Sequence, residues 1–214
     1  MQEEILRLFT TTHNLTFTQI EKSLGKRSNH VSYHLGELVK KGLLEKKTNS
    51  YQLSETGERQ LPHLSSKTSV AIPVVLLAIK RKNKVLFVKR SKRPYKDYWG
   101  LVGGKLRDNE SILVAASRLA EKVGVVIDGP KVHACMHEQV VGEQVKHSFI
   151  LFLVSATTKD TPTNGKWCVA IPEPGIPSDK WLVENKLDEE ADIPCAELRE
   201  GSQGLRMEIE KIKN

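Results

Sequence analysis

Cysteine is scarce and scattered in this chain. The three cysteines, Cys135, Cys168 and Cys195, are odd in number and form no CxxC pair. A disulfide framework or a cysteine-rich zinc module is therefore not expected, and a reducing cytoplasm is the simple reading. Long apolar runs are lacking too: nothing approaches the roughly 18 residues that a membrane span needs, so no membrane partner is expected. The N-terminus, MQEEILRLF, is acidic and then amphipathic. Without a basic stretch leading into an apolar one, it does not read as a signal peptide. Internal repeats and low-complexity segments are absent as well.

Positive charge is in excess. Thirty-three Lys and Arg oppose 26 Asp and Glu, giving a net charge of +7 and a pI near 9.2. Such a balance favours a polyanionic partner, nucleic acid or a phosphorylated metabolite; a solvated basic surface accounts for it equally. With 214 residues, 39% hydrophobic and 28% charged, the chain can bury a core in each of two modest domains. The break falls near LPHLSSKT, where helical patterning gives way to the strand-like run SVAIPVVLLAIK. We expect a first domain at 1–62, a linker at 63–68 and a second domain at 69–214.

The first part reads as short helices. Glu3–Thr11 carries Ile5, Leu6, Leu8 and Phe9 on one stripe. A second helix starts at Thr16 or Thr18, where Glu21 would complete a capping box with Thr18, and Gly25 ends it. A third runs from an N-capping Ser28 to about Lys41, with Val31, Leu35 and Leu38 on its buried face and Gly42 as its stop. Leu43–Lys47 and Tyr51–Leu53 read as strands about a Thr48–Ser50 turn, and Ser54–Gly57 opens another short helix. Helix, helix, tight turn, helix and hairpin is the winged helix-turn-helix plan. The segment VSYHLGELVKKGLLEKKTNSYQLSETG resembles the winged-helix regulators of the ArsR and MarR type.

That resemblance implies a DNA-binding face. Ser28, Asn29, His30, Ser32 and Tyr33 would approach base edges from the third helix, and Lys26, Arg27 and Lys40 would sit against phosphates. Lys46 and Lys47 would do the same from the wing. Residues 1–66 hold nine Lys/Arg against seven Asp/Glu, a weak excess for a monomer. A homodimer reading two half-sites would compensate.

In the second part, residues 69–80 and 84–90 read as strands, followed by the loop SKRPYKDYWGLVGGKLRDNES and a helix from about Glu110 to Lys122 that Gly124 stops. Strand-like stretches follow at Lys131–Val141 and Lys146–Ser155, and a charged helix is expected near Glu197–Lys213. The loop and helix resemble the Nudix box, G-x5-E-x7-R-E-U-x-E-E-x-G-U with U aliphatic. Gly104, Glu110 and Arg118 hold its first spacings, and Gly124 and Val125 match its end. The fold class expected is thus α+β or α/β, a winged helix-turn-helix followed by a Nudix-type α/β/α sandwich with a mixed sheet.

The box is damaged. Its glutamates bind magnesium or manganese, and hard cations of this kind need carboxylate oxygens. After Arg118 this chain reads Leu119-Ala120-Glu121-Lys122-Val123-Gly124, one residue shorter than the pattern. Leu119 and Lys122 fall at acidic positions, and Glu121 is the one carboxylate left as a candidate metal ligand. Glu110, Arg118 and Glu121 form the catalytic set if the box is active, and Mg or Mn is expected only in that case. Lys122 would instead pair with a phosphate as a point charge. The expected ligand-binding residues are Arg90, Arg93, Trp99, Gly103, Gly104, Lys105 and Lys122; Glu138, Glu143 and Glu184 are the reserve carboxylates. His133, Cys135 and His137 alternate along one strand and so would share a face, a zinc-like set with no fourth ligand.

The resemblances together imply a transcriptional regulator whose Nudix-like domain senses a nucleotide or other phosphorylated metabolite. A metal-dependent Nudix pyrophosphohydrolase acting on a nucleoside diphosphate derivative, with an accessory winged helix, is the alternative. Regulators of NAD-related metabolism combine the same two modules in the opposite order, which leaves the ligand open.

Overall fold

A computed structural model describes residues 1–64, 70–191, 193–201 and 204–210. The chain forms two compact units, Met1–Val70 and Ala71–Asn214. Most of the expected linker lies outside the described residues, and its first two positions belong to a helix.

The first unit holds α1 (Gln2–Leu8), β1 (Asn14–Leu15), α2 (Phe17–Leu24), α3 (Ser28–Lys40), β2 (Leu44–Lys46), β3 (Tyr51–Leu53) and α4 (Glu55–Leu64). Thr16 caps α2, and its capping box closes with Gln19 rather than Glu21. Gly25, left-handed at φ 58°, ends that helix. Arg27, not Ser28, is the N-cap of α3. The strands form a small antiparallel sheet ordered β1-β3-β2, in which β1 was not expected. Ile5, Leu6, Phe9, Ile20, Val31, Leu35, Leu38, Leu44 and Leu53 bury one core. The periodic apolar positions of α1 and α3 thus all point inward.

Gly57 shows how tightly α4 seats. A Cβ there would stand 2.1 Å from the Leu43 carbonyl oxygen and 2.9 Å from Leu53 Cδ2. The first obstacle is backbone and cannot swing away. Gly57→Ala is therefore expected to destabilise this unit by about 3 kcal/mol, the upper end for overpacking, read as a lower denaturation midpoint.

The second unit holds β4 (Ile72–Arg81), β5 (Lys84–Lys89), β6 (Trp99–Gly100), β7 (Val102–Lys105), α5 (Ile112–Glu121), β8 (Asp128–Val141), β9 (Val145–Thr157), β10 (Lys166–Cys168), α6 (Pro177–Lys186), β11 (Cys195–Gly201) and β12 (Gly204–Glu210). The main sheet runs β10-β5-β4-β9-β8, with β6 on β5 and β7 on β4. β4 and β9 pair in parallel, and the other pairs are antiparallel, so the sheet is mixed as expected. Alternate residues of β4 serve opposite faces, following the two-residue period of a strand. Val75, Leu77 and Ile79 pack with Ala115, Ala116 and Leu119 of α5, whereas Leu76 and Ala78 pack with Leu182 of α6. A strand buried on both sides must read as a continuous apolar run, which is what IPVVLLAI provides.

Two expectations are corrected here. The charged C-terminal helix is instead an antiparallel pair, β11 with β12. Ala196, Leu198, Leu205, Met207 and Ile209 alternate with charged residues, the period of a strand rather than a helix. Helix α6 was not expected at all; its local signals are Pro177 at the first helical position and Asp179 in the first turn.

Candidate functional site

A cleft of about 200 Å³ opens on the α6 side of the sheet. Val74 and Leu76 of β4, Phe149 and Leu151 of β9, and Pro94 and Ile176 supply apolar walls. Arg90, Arg93, Tyr95, Lys105, Glu138 and Asp179 supply the polar groups, and Gly104 completes the lining. The segment after β5 is folded back by Asp97 N–H donating to Arg90 O at 2.8 Å and Arg90 N–H donating to Tyr98 O at 2.8 Å. This brings Tyr95 over the cleft, where its hydroxyl donates to Glu138 Oε1 at 3.1 Å. Burial is the first reason its phenol is pushed well above the ordinary range, and the Glu138 charge adds to it.

Asp179 sits at the floor of this cleft. Its Oδ2 accepts the Leu101 amide at 2.7 Å. Burial pushes its carboxyl up to about 7; the Glu138 charge works in the same direction, and the Leu101 amide and Arg90 oppose it. Gly100 makes room for it: a Cβ there would lie 2.6 Å from Asp179 Oδ2 and 2.7 Å from Ile176 Cδ1.

The glycine strand meets α5 on the opposite face of the sheet. Glu110 lies before α5, not in it, and Ser111 caps the helix through the Val114 amide. Both Glu110 oxygens are occupied: Arg118 Nε donates to Oε2 at 2.6 Å, Arg118 Nη2 reaches Oε1, and the Arg107 amide donates to Oε1 at 2.8 Å. The Arg118 hydrogen bond is the main reason the Glu110 carboxyl is held below its usual range. Glu110 and Arg118 therefore brace the loop against the helix. Leu119 is fully buried, and its Cδ2 would be 2.7 Å from a Cβ on Gly104. Lys122 Nζ reaches the same glycine, 3.7 Å from that Cβ position. Its ammonium is destabilised first by burial and then by Arg118 and Arg107. The Glu121 side chain is exposed and makes no hydrogen bond or ion pair among the described residues.

A divalent ion does not fit this donor set. Leu119 is core, Lys122 carries an ammonium to the glycine strand, and Glu110 is committed to Arg118. Among the described residues no group of three His, Cys, Asp or Glu converges to hold a metal. The expected His133, Cys135 and His137 face is broken by an irregular register between Val132 and Ala134. His133 is buried and bonded to Ser155 Oγ at 2.6 Å and to Glu189 O, while Cys135 is exposed.

Of the expected ligand residues, Arg90, Arg93, Gly104 and Lys105 line the cleft; Lys122 does not line it and approaches Gly104 from the α5 face. Gly103 stands beside it, with Arg90 Nη1 3.8 Å from a Cβ there. Trp99 does not line it: its ring carries Lys166 Nζ at 5.0 Å, and its backbone pairs with Pro174 and Ile176 at the entry to α6. Tyr95 and Asp179 were missed because no local pattern distinguishes them. Glu138 is in the cleft, whereas Glu143 and Glu184 are exposed outside it. In the first unit, Lys26, Arg27, Ser28, Asn29, His30, Ser32, Tyr33, Lys40, Lys46 and Lys47 are all exposed. Lys47 is partly engaged by Glu45 at 3.0 Å. No helix among the described residues is long and apolar enough to cross a membrane.

Comparison with known proteins places the second unit. No curated protein sequence matches the chain. Among solved structures it is similar to a MutT NUDIX hydrolase from Burkholderia pseudomallei, at 19% identity over 54% of this chain and 98% of that one, with a TM-score of 0.49. It is also similar to the NUDIX domain of Shewanella oneidensis NrtR complexed with ADP ribose, at 21% identity over 62% and 96% and a TM-score of 0.44. The E. coli ORF135 protein is 26% identical over 53% and 86%, with a TM-score of 0.40. The NUDIX domain family model matches residues 67–196, well over half of the chain, and the protein belongs to that family.

Proposed function

We propose that this protein is a DNA-binding transcriptional regulator whose NUDIX domain binds a nucleotide or related phosphorylated metabolite without hydrolysing it efficiently. The observation that carries this reading is Lys122. Its ammonium, rather than a carboxylate, stands beside Gly104, on the segment where the family's metal ligands belong. An ammonium repels a divalent cation and pairs with a phosphate. Arg90, Arg93 and Lys105 add cationic groups at the cleft, and its apolar walls suit the body of a small ligand. In the first unit, the order of helices and hairpin and the exposed polar face of α3 support a winged helix that reads DNA as a homodimer. The boundaries follow: a DNA-binding module at 1–62 and a ligand module from 69.

Ligand binding is expected to be independent of metal. Calorimetry with ADP-ribose and nucleoside diphosphates should give the same affinity in EDTA as in magnesium, and Lys122→Ala should weaken it about tenfold or more, the scale of a charge-assisted contact. DNA retention should fall steeply with salt, as phosphate contacts require. Glu138 in the cleft favours the second reading, a metal-dependent pyrophosphohydrolase that takes a carboxylate from outside the box. Magnesium- or manganese-dependent turnover that disappears in Glu121→Gln or Glu138→Gln would establish that reading and overturn the sensor.

A further inference from the structure

Two imidazoles on α3 meet nitrogen to nitrogen. His30 and His34 are four residues apart and so share one face of the helix. Their Nε2 atoms are 3.1 Å apart, with ring centroids at 4.7 Å and planes at 64°. A contact of this kind holds a single proton, one ring donating and the other accepting. His30 is exposed and His34 half-buried. The other nitrogen of His34, Nδ1, is buried without a hydrogen-bond partner among the described residues. Nε2 is therefore the atom of that ring open to a ligand.

The spacing has a second use. A zinc-type ion binds imidazole nitrogen at roughly 2.0–2.1 Å. At right-angled to tetrahedral geometry, two such nitrogens stand roughly 2.9–3.4 Å apart. We propose that His30 and His34 form a bidentate site for a borderline divalent transition metal (zinc, nickel or copper), with the ion seated between the two Nε2 atoms. The ion takes both Nε2 lone pairs; the proton that lay between them moves to Nδ1 of the donor ring, so each neutral ring carries its one proton on Nδ1. An all-imidazole pair favours these metals over magnesium and calcium, which want oxygen. Water fills the remaining positions.

The surroundings set its strength. His34 is pushed toward the neutral form, the state a metal ligand needs, first by burial and then by the His30, N-terminal amine and Lys41 charges; Glu37 works the other way. The N-terminal amine and Lys41 oppose a metal ion and Glu37 favours it. The Nδ1 proton of His34 stays without an acceptor, which weakens the site. An exchangeable ion is expected rather than a structural one. The site lies on α3, outside the NUDIX cleft. Its consequence for DNA, competition for the same helix face, rests on the reading above; the site itself does not.

Titration calorimetry on the full-length protein without DNA tests it, using nickel and then zinc in a non-coordinating buffer at about pH 7.5, above the ordinary imidazole pKa. One ion per chain is expected, with affinity at least about tenfold lower in His30→Gln and in His34→Gln, since each removes one of two ligands. A His137→Gln/His147→Gln variant should bind as the wild type does. His30 is exposed, so its variant keeps the test open if His34→Gln folds poorly. Absence of saturable binding, or equal isotherms for wild type and His30→Gln, would overturn the site.

Discussion

Arg118→Met is expected to destabilise the protein by about 3–5 kcal/mol, the usual consequence of leaving a buried charge without its partner. The Glu110 side chain is 5% exposed and that of Arg118 17%, so water cannot replace the lost guanidinium. At roughly 2–4 °C per kcal/mol for a chain of this size, thermal unfolding should start about 10 °C earlier. The pH dependence separates this cause from simple loss of packing. In the wild type, the folded Glu110 pKa lies below its ordinary 4.5. The pair's contribution is therefore complete above that value and fades as pH falls through the lower folded one. In Arg118→Met, burial still raises the Glu110 pKa and only the Arg107 amide and charge oppose it, so acidification should relieve part of the deficit. Glu110→Gln/Arg118→Met should lose less than the single variant, because no uncompensated charge remains. A deficit that is flat with pH, or additive in the double variant, would sink the explanation.

Asp179 should make stability fall as pH rises, the opposite sign to Glu110. Its ordinary value is 3.8 and its folded value about 7. Between these, the unfolded chain releases a proton that the folded chain retains. Stability should decline from about pH 4 to about pH 7 and level off above, by about 4 kcal/mol at most. Asp179→Asn keeps an oxygen for the Leu101 amide and removes the titration. Its unfolding free energy should therefore lack this decline, and above pH 8 it should match or exceed the wild type. Denaturant unfolding across the pH range measures both; parallel profiles for the two proteins would show that Asp179 does not titrate in this window.

How much of this could be read beforehand depended on how local the signal was. The α3 core stripe of Val31, Leu35 and Leu38 and the apolar run of β4 were legible because each follows one element's own period. The Glu110–Arg118 pair was legible as a spacing, but its role was not. On paper both residues looked like members of one helix, whereas Ser111 starts α5 one residue after Glu110 and lets the carboxylate turn back to meet the guanidinium. The cleft was half legible. Arg90, Arg93, Gly104 and Lys105 cluster in sequence, but Asp179 and Glu138 reach it from α6 and β8, and only the sheet order brings them together. The C-terminal hairpin was misjudged because its charge density was weighed above its two-residue alternation.

The single residue missing between Arg118 and Gly124 has an evolutionary meaning. A helix turns about 100° per residue, so a deletion near its end swings everything beyond it to another side. Helix α5 closes at Glu121, and Gly124, left-handed at φ 76°, fixes where the chain leaves. Restoring one acidic side chain at position 122 would therefore aim it along a different direction from the one the intact pattern uses. Matching the family pattern again would take an insertion as well as acidic residues in place of Leu119 and Lys122. On the sensor reading proposed above, such a shortening behaves as a ratchet, because a substitution alone does not undo it.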